Sequence, residues 1–417
     1  MKQNYLKQAR RSLLIIACGL PIIGFAASPN DFTLQDAVQL TLDKNPQLKL
    51  YPLYIRQIEG EMQQAEIKPI PNAELELSNS EVTLTLSQNF ELGQKRQNRI
   101  AYSNAKQQRL QAEFTITRLD VLAETSRRYY QLLALQKQHT LLTTRIGQEK
   151  RALNIITKQA KAGIVNQADV ANMALRLGRS NNTLEQLQFS IEAKKRRLAA
   201  MWLSDGNQLR GALGTLSNLP EIPKPSELTA LVNKQLNQLP DYLLQVALLR
   251  LADSQVQLEQ SNSRANIDFG IGINHNNNSS DQSLILTAAM PLNFLAPSGS
   301  PNRGRINSAL AQQQLNFEQV EIKRRELNIA LAGIQHNLAK DKRLEHQIKN
   351  QLLPLAIEVL SSTQKAYRQG QYSVRQWIDA QSQVFDLEQD LINSQVRIFN
   401  QVLELERILG QSIVNAQ

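Results

Sequence analysis

The sequence predicts a mainly α-helical protein with a small β part, in which long helices are laid out twice and each set is preceded by a β-hairpin. Three observations carry this expectation. Two helical stretches, 95–162 and 304–369, run far beyond the length of an ordinary globular helix. Their apolar residues recur with coiled-coil spacing. Four short segments alternate apolar and polar side chains.

The first long stretch contains no proline, and the second contains only Pro354. At about 1.5 Å per residue each reaches roughly 100 Å. In the first, Leu132, Leu135, His139, Leu142, Ile146, Glu149, Leu153 and Ile156 alternate steps of three and four. In the second, Leu327, Leu331, Ile334, Leu338, Asp341, Glu345, Ile348, Leu352, Leu355 and Val359 do the same. A sustained repeat of this kind predicts supercoiled packing against neighbouring helices. The polar slots Glu149, Asp341 and Glu345 are expected to face solvent, and Pro354 is expected to kink or loosen its helix. Gly163 and Gly370 then end the long helices in tight reversals, and the return helices, 167–201 and 373–409, are about half as long.

The β segments alternate as membrane strands do. Ala73, Leu75 and Leu77 share one face against Glu74 and Glu76; Val82, Leu84 and Leu86 oppose Thr83 and Thr85. Ile267, Phe269, Ile271 and Ile273 oppose Asp268, Gly270 and Gly272, while 283–290 alternates less clearly. Apolar-out, polar-in alternation is the pattern of a transmembrane barrel. Four strands cannot close a barrel, so several subunits are expected to contribute to one. The polar-face acids Glu74, Glu76 and Asp268 would then line the lumen as rings that favour cations.

The expected organisation is a signal peptide at 1–26, a first repeat at 27–202, a linker at 203–226, a second repeat at 227–410 and a tail at 411–417. Lys2, Lys7, Arg10 and Arg11 precede an apolar run that ends in Gly24-Phe25-Ala26, which places cleavage after Ala26. Cys18, the only cysteine, offers a second reading as a lipidated residue, although the apolar run continues past it. Loss of the leader lowers the net charge of +10 to about +6. This mild surplus is spread over helices that also carry acids, so nucleic acid is not an expected partner. No later segment is apolar for long enough to form a membrane helix, which leaves β-strands as the means of crossing a bilayer.

No catalytic or metal-binding constellation is present. The four histidines, His139, His275, His336 and His346, are scattered, and neither a zinc-binding histidine spacing nor a phosphate-binding glycine loop occurs. The expectation is therefore a non-enzyme with no cofactor. The helix tips are the better functional candidates. Ile164, Val165, Tyr372 and Val374 set apolar side chains beside the exposed turns at Gly163 and Gly370, and Lys161 and Arg368 add charge there.

Several motifs resemble those of the TolC-like outer-membrane efflux family. They are Phe90-Glu91-Leu92-Gly93-Gln94-Lys95-Arg96, Met290-Pro291-Leu292-Asn293-Phe294 with Asn302-Arg303-Gly304-Arg305-Ile306, and the tips Gly163-Ile164-Val165-Asn166-Gln167-Ala168-Asp169 and Gly370-Gln371-Tyr372-Ser373-Val374. Pro71-Asn72-Ala73-Glu74-Leu75-Glu76 and Leu198-Ala199-Ala200-Met201-Trp202 look most like the cobalt–zinc–cadmium type, although Gln94 is inserted into that type's Gly-Lys-Arg junction. The resemblance implies a homotrimer with a long-helix α-barrel and a twelve-stranded outer-membrane β-barrel. It also implies a periplasmic adaptor at the tips and an inner-membrane pump of the resistance–nodulation–division class. A duct for drugs or secreted proteins, and a pore-less periplasmic coiled-coil protein, are the alternative readings.

Overall fold

The computed structural model describes residues 31–206, 209–220, 235–292 and 302–411. The expected leader, with Cys18 and the Ala26 cleavage point, lies outside them, as do 412–417 of the tail and parts of the linker and of the second junction.

The chain begins with β1 (Asp31–Phe32), α1 (Leu34–Lys44) and α2 (Pro46–Glu66). Thr33 and Asp36 form a capping box on α1. Asn45 ends α1 and caps α2, whose first position is Pro46, where the missing N–H costs nothing. β2 (Asn72–Leu77) and β3 (Glu81–Phe90) lead into α3 (Lys95–Lys161), a single helix of 67 residues and about 100 Å. α4 (Gln167–Ala199) returns along it, followed by β4 (Gly211–Ala212). The plan then repeats with α5 (Pro240–Asn262), β5 (Ile267–Asn276), β6 (Gln282–Ala289), α6 (Arg303–Gln347), α7 (Leu353–Arg368) and α8 (Val374–Leu409).

Part of the expected linker is structured. β4 pairs in parallel with β1, Asp31 opposite Gly211 and Phe32 opposite Ala212. The Tyr129 hydroxyl fastens this pair by donating to the carbonyls of Phe32, at 3.1 Å, and Leu213. Burial pushes that phenol up to about 12, so it remains a donor at physiological pH. The main core surrounds it, with Leu132, Leu133, Leu198, Trp202 and Phe399 buried together. Its sequence signal was weak because the contacts join segments far apart in the chain.

The helical seam departs from expectation in two ways. The polar slots do not face solvent: Glu149, Asp341 and Glu345 are 1%, 2% and 7% exposed. Glu149 accepts from Arg145 of its own helix at 2.9 Å and from Arg176 of α4 at 3.0 Å, and Arg176 also reaches Ser382 of α8. Asp341 accepts from Arg397 of α8 at 3.1 Å, and Glu345 faces Lys349 at 3.9 Å. The arginines keep part of their length near solvent, so Glu149 and Asp341 are matched without full burial of their partners.

The second departure lies at Pro354. The helix loosens there as expected, with Ile348–Leu352 in one wider π-helical turn between α6 and α7, but the burial pattern below it changes. Leu353 N–H bonds to the Ile348 carbonyl five residues back, which accommodates the donor that Pro354 lacks. The added residue shifts the heptad by one. Leu327 to Ile348 are buried as the spacing predicts, but Leu352, Leu355 and Val359 are exposed. Ala356 and Thr363 take their places inside, with Leu360 half-buried beside the tip core.

Replacement of Glu149 by alanine leaves two arginines beside a buried void and should destabilise the protein by about 3–5 kcal/mol. Denaturant unfolding checks this, and a loss below about 1 kcal/mol would mean that solvent satisfies the arginines equally well.

Candidate functional site: the amphipathic sheet and the helical tips

The two hairpins join into one antiparallel sheet of order β2-β3-β5-β6, and this central β3–β5 pairing was not foreseen from the sequence. The register sorts the side chains by chemistry. Leu75 pairs with Leu84, Leu84 with Ile273 and Ile273 with Leu284, so one row crosses all four strands with only apolar residues. Leu86, Ile271 and Leu286 form the next row. On the opposite face Glu74 pairs with Thr85, Thr85 with Gly272, and Glu76 with Thr83. A one-residue slip would mix the faces, so the register is fixed by this pattern.

Exposure is the reverse of that in a water-soluble sheet. Leu77, Leu284 and Leu286 are 69%, 65% and 74% exposed. Thr83, Thr85, Gly270 and Asn274 on the polar face are half-buried, and Gly272 is buried. The polar face is tight at Gly272, where an added Cβ would lie 2.7 Å from Thr85 Oγ1 and 2.9 Å from the Leu84 carbonyl. From Val82 to Phe90 the apolar band of β3 spans about 27 Å along the strand, or about 21 Å along a membrane normal at a tilt of about 40°, close to the roughly 25 Å of a barrel's lipid belt. Phe90 and Phe269 meet edge-to-face at 5.8 Å at the end of the band nearest the helices, where an interfacial aromatic girdle belongs. β2 and β6 leave both outer edges of the sheet unpaired among the described residues.

The polar face carries the three acids expected there. Glu74 and Glu76 are exposed, and Asp268 accepts from Asn89 Nδ2 at 2.7 Å. Glu81 shares this face and was missed. Its position opens β3 directly after the turn, and the register, Glu81 opposite Asn276, is what assigns it. Its carboxylate accepts from Asn274 and Asn276. At the junction, Gly93 and Gln94 both take left-handed conformations, φ 76° and 61°, so the inserted Gln94 is absorbed in the turn before α3.

At the far end of α3 the two tips are built alike. Ile164 N–H donates to the Gln159 carbonyl at 2.9 Å and Gly163 N–H to that of Ala160 at 3.0 Å. Gln371 N–H donates to the Ala366 carbonyl at 2.9 Å and Gly370 N–H to that of Tyr367 at 3.0 Å. This double closure needs a left-handed residue, supplied by Gly163 at φ 75° and Gly370 at φ 73°. Asn166 and Ser373 then cap the return helices.

Lys161, Gly163, Ile164, Arg368, Gly370 and Tyr372 are all exposed, Ile164 at 70% and Tyr372 at 46%. Val165 is half-buried. Val374 is not an exposed tip residue, since it is 6% exposed and packs with Ala152, Ile156, Met173 and Trp377. As the first residue of a capped helix it points into the seam that binds the two hairpins together. Tyr367 stacks on Trp377 at 5.2 Å and donates to Gln159, which ties one tip to the other. Among the described residues no group of His, Cys, Asp and Glu is arranged to hold a metal, and no helix is long and apolar enough to cross a membrane.

Ile271→Lys on the apolar face should weaken insertion into a bilayer by about 2–4 kcal/mol, whereas Glu76→Lys on the polar face should insert as the parent does. Folding into lipid vesicles, followed by heat-sensitive gel mobility, measures both; equal effects would deny the assignment of the faces.

Comparisons with known proteins agree with this geometry. The outer membrane efflux protein family pattern matches residues 37–202, the first repeat. The cobalt-zinc-cadmium resistance protein CzcC of Cupriavidus metallidurans is 23% identical over 93% of this chain and 91% of its own. Among solved structures, CusC, whose study concerns folding and transmembrane channel formation, aligns with a TM-score of 0.74 and 17% identity over 92% of this chain and 93% of its own. The outer membrane protein VceC of Vibrio cholerae aligns with a TM-score of 0.70 and 17% identity over 91% and 96%. The efflux pattern in the first repeat, the fold shared over the whole length and the inverted exposure of the sheet are what this chain has in common with outer membrane efflux proteins.

Proposed function

We propose that this chain forms an outer-membrane efflux channel, the exit duct for heavy-metal cations, from three copies. Each copy contributes four strands to a twelve-stranded barrel. The observation that carries the reading is the sheet, with its exposed apolar face and two open edges, standing at the end of a rod of about 100 Å. A pore-less coiled-coil protein would have no use for such a face in water. Three copies place the β6 edge of one against the β2 edge of the next, so that no backbone group meets lipid unpaired. The strip of Leu352, Leu355 and Val359 on α7 and the turn before it offers a second apolar surface for a neighbouring copy.

The tips contact a periplasmic adaptor. Ile164 and Tyr372 supply apolar contact, Lys161 and Arg368 supply charge, and Gly163 and Gly370 set the turns. Energy comes from an inner-membrane pump of the resistance–nodulation–division class, because the duct holds no machinery of its own. The metal substrate class is supported by the likeness to a cobalt-zinc-cadmium resistance protein along most of both chains. Metals would cross in water, attracted by Glu74, Glu76, Glu81 and Asp268 on the lumenal face.

A deletion strain should lose tolerance to cobalt, zinc and cadmium while keeping tolerance to dyes and detergents. The parent chain should restore it, and a chain with Gly163→Leu and Arg368→Glu should not, at equal levels of outer-membrane trimer. Sensitivity to organic toxicants alone would move the substrate to drugs, and full restoration by the double variant would remove the tips from the mechanism. Reconstituted in a planar bilayer, the channel should prefer potassium to chloride, with the preference reduced in Glu74→Gln/Glu76→Gln; anion selectivity in the parent would overturn the role of the acids.

A further inference from the structure

The lipid-facing band does not stop where the strands stop. Below Phe90 and Phe269, the loop 67–70 between α2 and β2 turns Ile67 and Ile70 outward, 49% and 72% exposed, and Leu92, Met290 and Leu292 are exposed at the same end of the sheet. The loop is held in place by hydrogen bonds to its carbonyls. Gln88 Nε2 donates to that of Pro69 at 2.9 Å, Arg99 Nη2 to that of Ile67 at 3.2 Å and Arg96 Nε to that of Glu66 at 2.6 Å. Gln88 belongs to the apolar face of β3, since it pairs with Phe269, so the loop lies on the outer side of the sheet. Beneath it is a groove of about 620 Å³ lined by Ala65, Ile67, Pro69, Ile70 and Leu258, with Lys68 at its edge.

Charge separates the two ends of the sheet. The acids of the groove are already matched, Glu61 by Lys106 and Glu91 by Arg99. Lys68 is exposed and has no hydrogen-bond or ion-pair partner among the described residues. Lys95, Arg96, Arg264, Arg303 and Arg305 stand at the same end. The turns at the opposite end, 78–81 and 275–282, hold Glu81 and Asp281 and no lysine or arginine.

We infer that this collar is a binding surface for anionic phospholipid of the periplasmic leaflet. Acyl chains lie against Ile67 and Ile70 and in the groove, and the headgroup phosphate sits at Lys68. The inference rests on the outer-membrane reading of the sheet and extends it to helical and loop residues outside the barrel. Lipid is the occupant because the surface continues the lipid-facing band without a break and carries the charge opposite to a phosphate.

The test uses full-length channel in vesicles of phosphatidylethanolamine with and without phosphatidylglycerol. An environment-sensitive fluorophore at Ile70→Cys, with Cys18 replaced, should be quenched by spin-labelled lipid and shielded from iodide. Phosphatidylglycerol retained through purification should fall at least about fivefold in Lys68→Glu/Ile70→Ser, since one basic residue near an anionic surface changes binding by about that factor. Neither side chain has a hydrogen bond or ion pair to lose, so folding is expected to be unaffected. Unchanged retention, quenching by iodide alone, or disulfide crosslinking between copies of the unlabelled Ile70→Cys variant would each overturn the proposal while leaving the channel intact. Failure of the parent chain to enter any vesicle would overturn the membrane reading itself, and this proposal with it.

Discussion

Backbone hydrogen bonding in hydrocarbon is the constraint on which the rest of the structure depends. A strand in lipid has no water to satisfy its N–H and C=O groups, so every edge must meet another strand. This chain brings four strands with β2 and β6 at the margins. In the proposed channel the sheet is completed when copies close a ring, and closure would dictate the placement of everything attached to it. α2 and α5 enter the sheet, α3 leaves β3 within a few residues, and α6 follows β6 across the second junction. In that reading the helices belong to the same ring, and their length sets how far it would project.

The long helices must pack along about 100 Å without a large hydrophobic core. They do so with a seam that is apolar in most turns and ionic in a few. Glu149 and Asp341 are held by arginines from neighbouring helices, with the guanidinium of Arg145 also 4.2 Å from the Phe385 ring. A buried ion pair adds little net stability compared with leucine, yet it penalises any sliding of one helix along another. Rods that must keep their tips level gain from such fixed points. The π turn before Pro354 has a comparable local cause, since it accommodates a missing donor and resets which residues face inward below it.

Legibility in the sequence varied with the range of the cause. The hairpin alternation, the tip glycines and the extent of the long helices follow from periodicity, backbone sterics and the absence of proline, all local. Leu132, Leu142, Ile146, Leu331 and Leu338 are buried where their spacing puts them. The heptad misled at Leu352, Leu355 and Val359, because a spacing rule assumes a uniform helix. It also misled at Glu149, whose partner Arg176 belongs to another helix. Val374 was misplaced for a similar reason: next to a turn in sequence, it is inside the bundle in space.

The sequence alone thus determined that the chain is a duplicated set of long helices with two amphipathic hairpins, because periods of two, of three and a half, and of the whole repeat are written in residue order. Only the tertiary structure decided that β3 pairs with β5 to merge the hairpins, that Glu81 joins the acids of the polar face, that β4 returns to β1 and that the seam shifts after Ile348. Each of these depends on which distant segment comes to lie alongside, or on a change of helical pitch. A linear pattern of apolar and polar residues records neither.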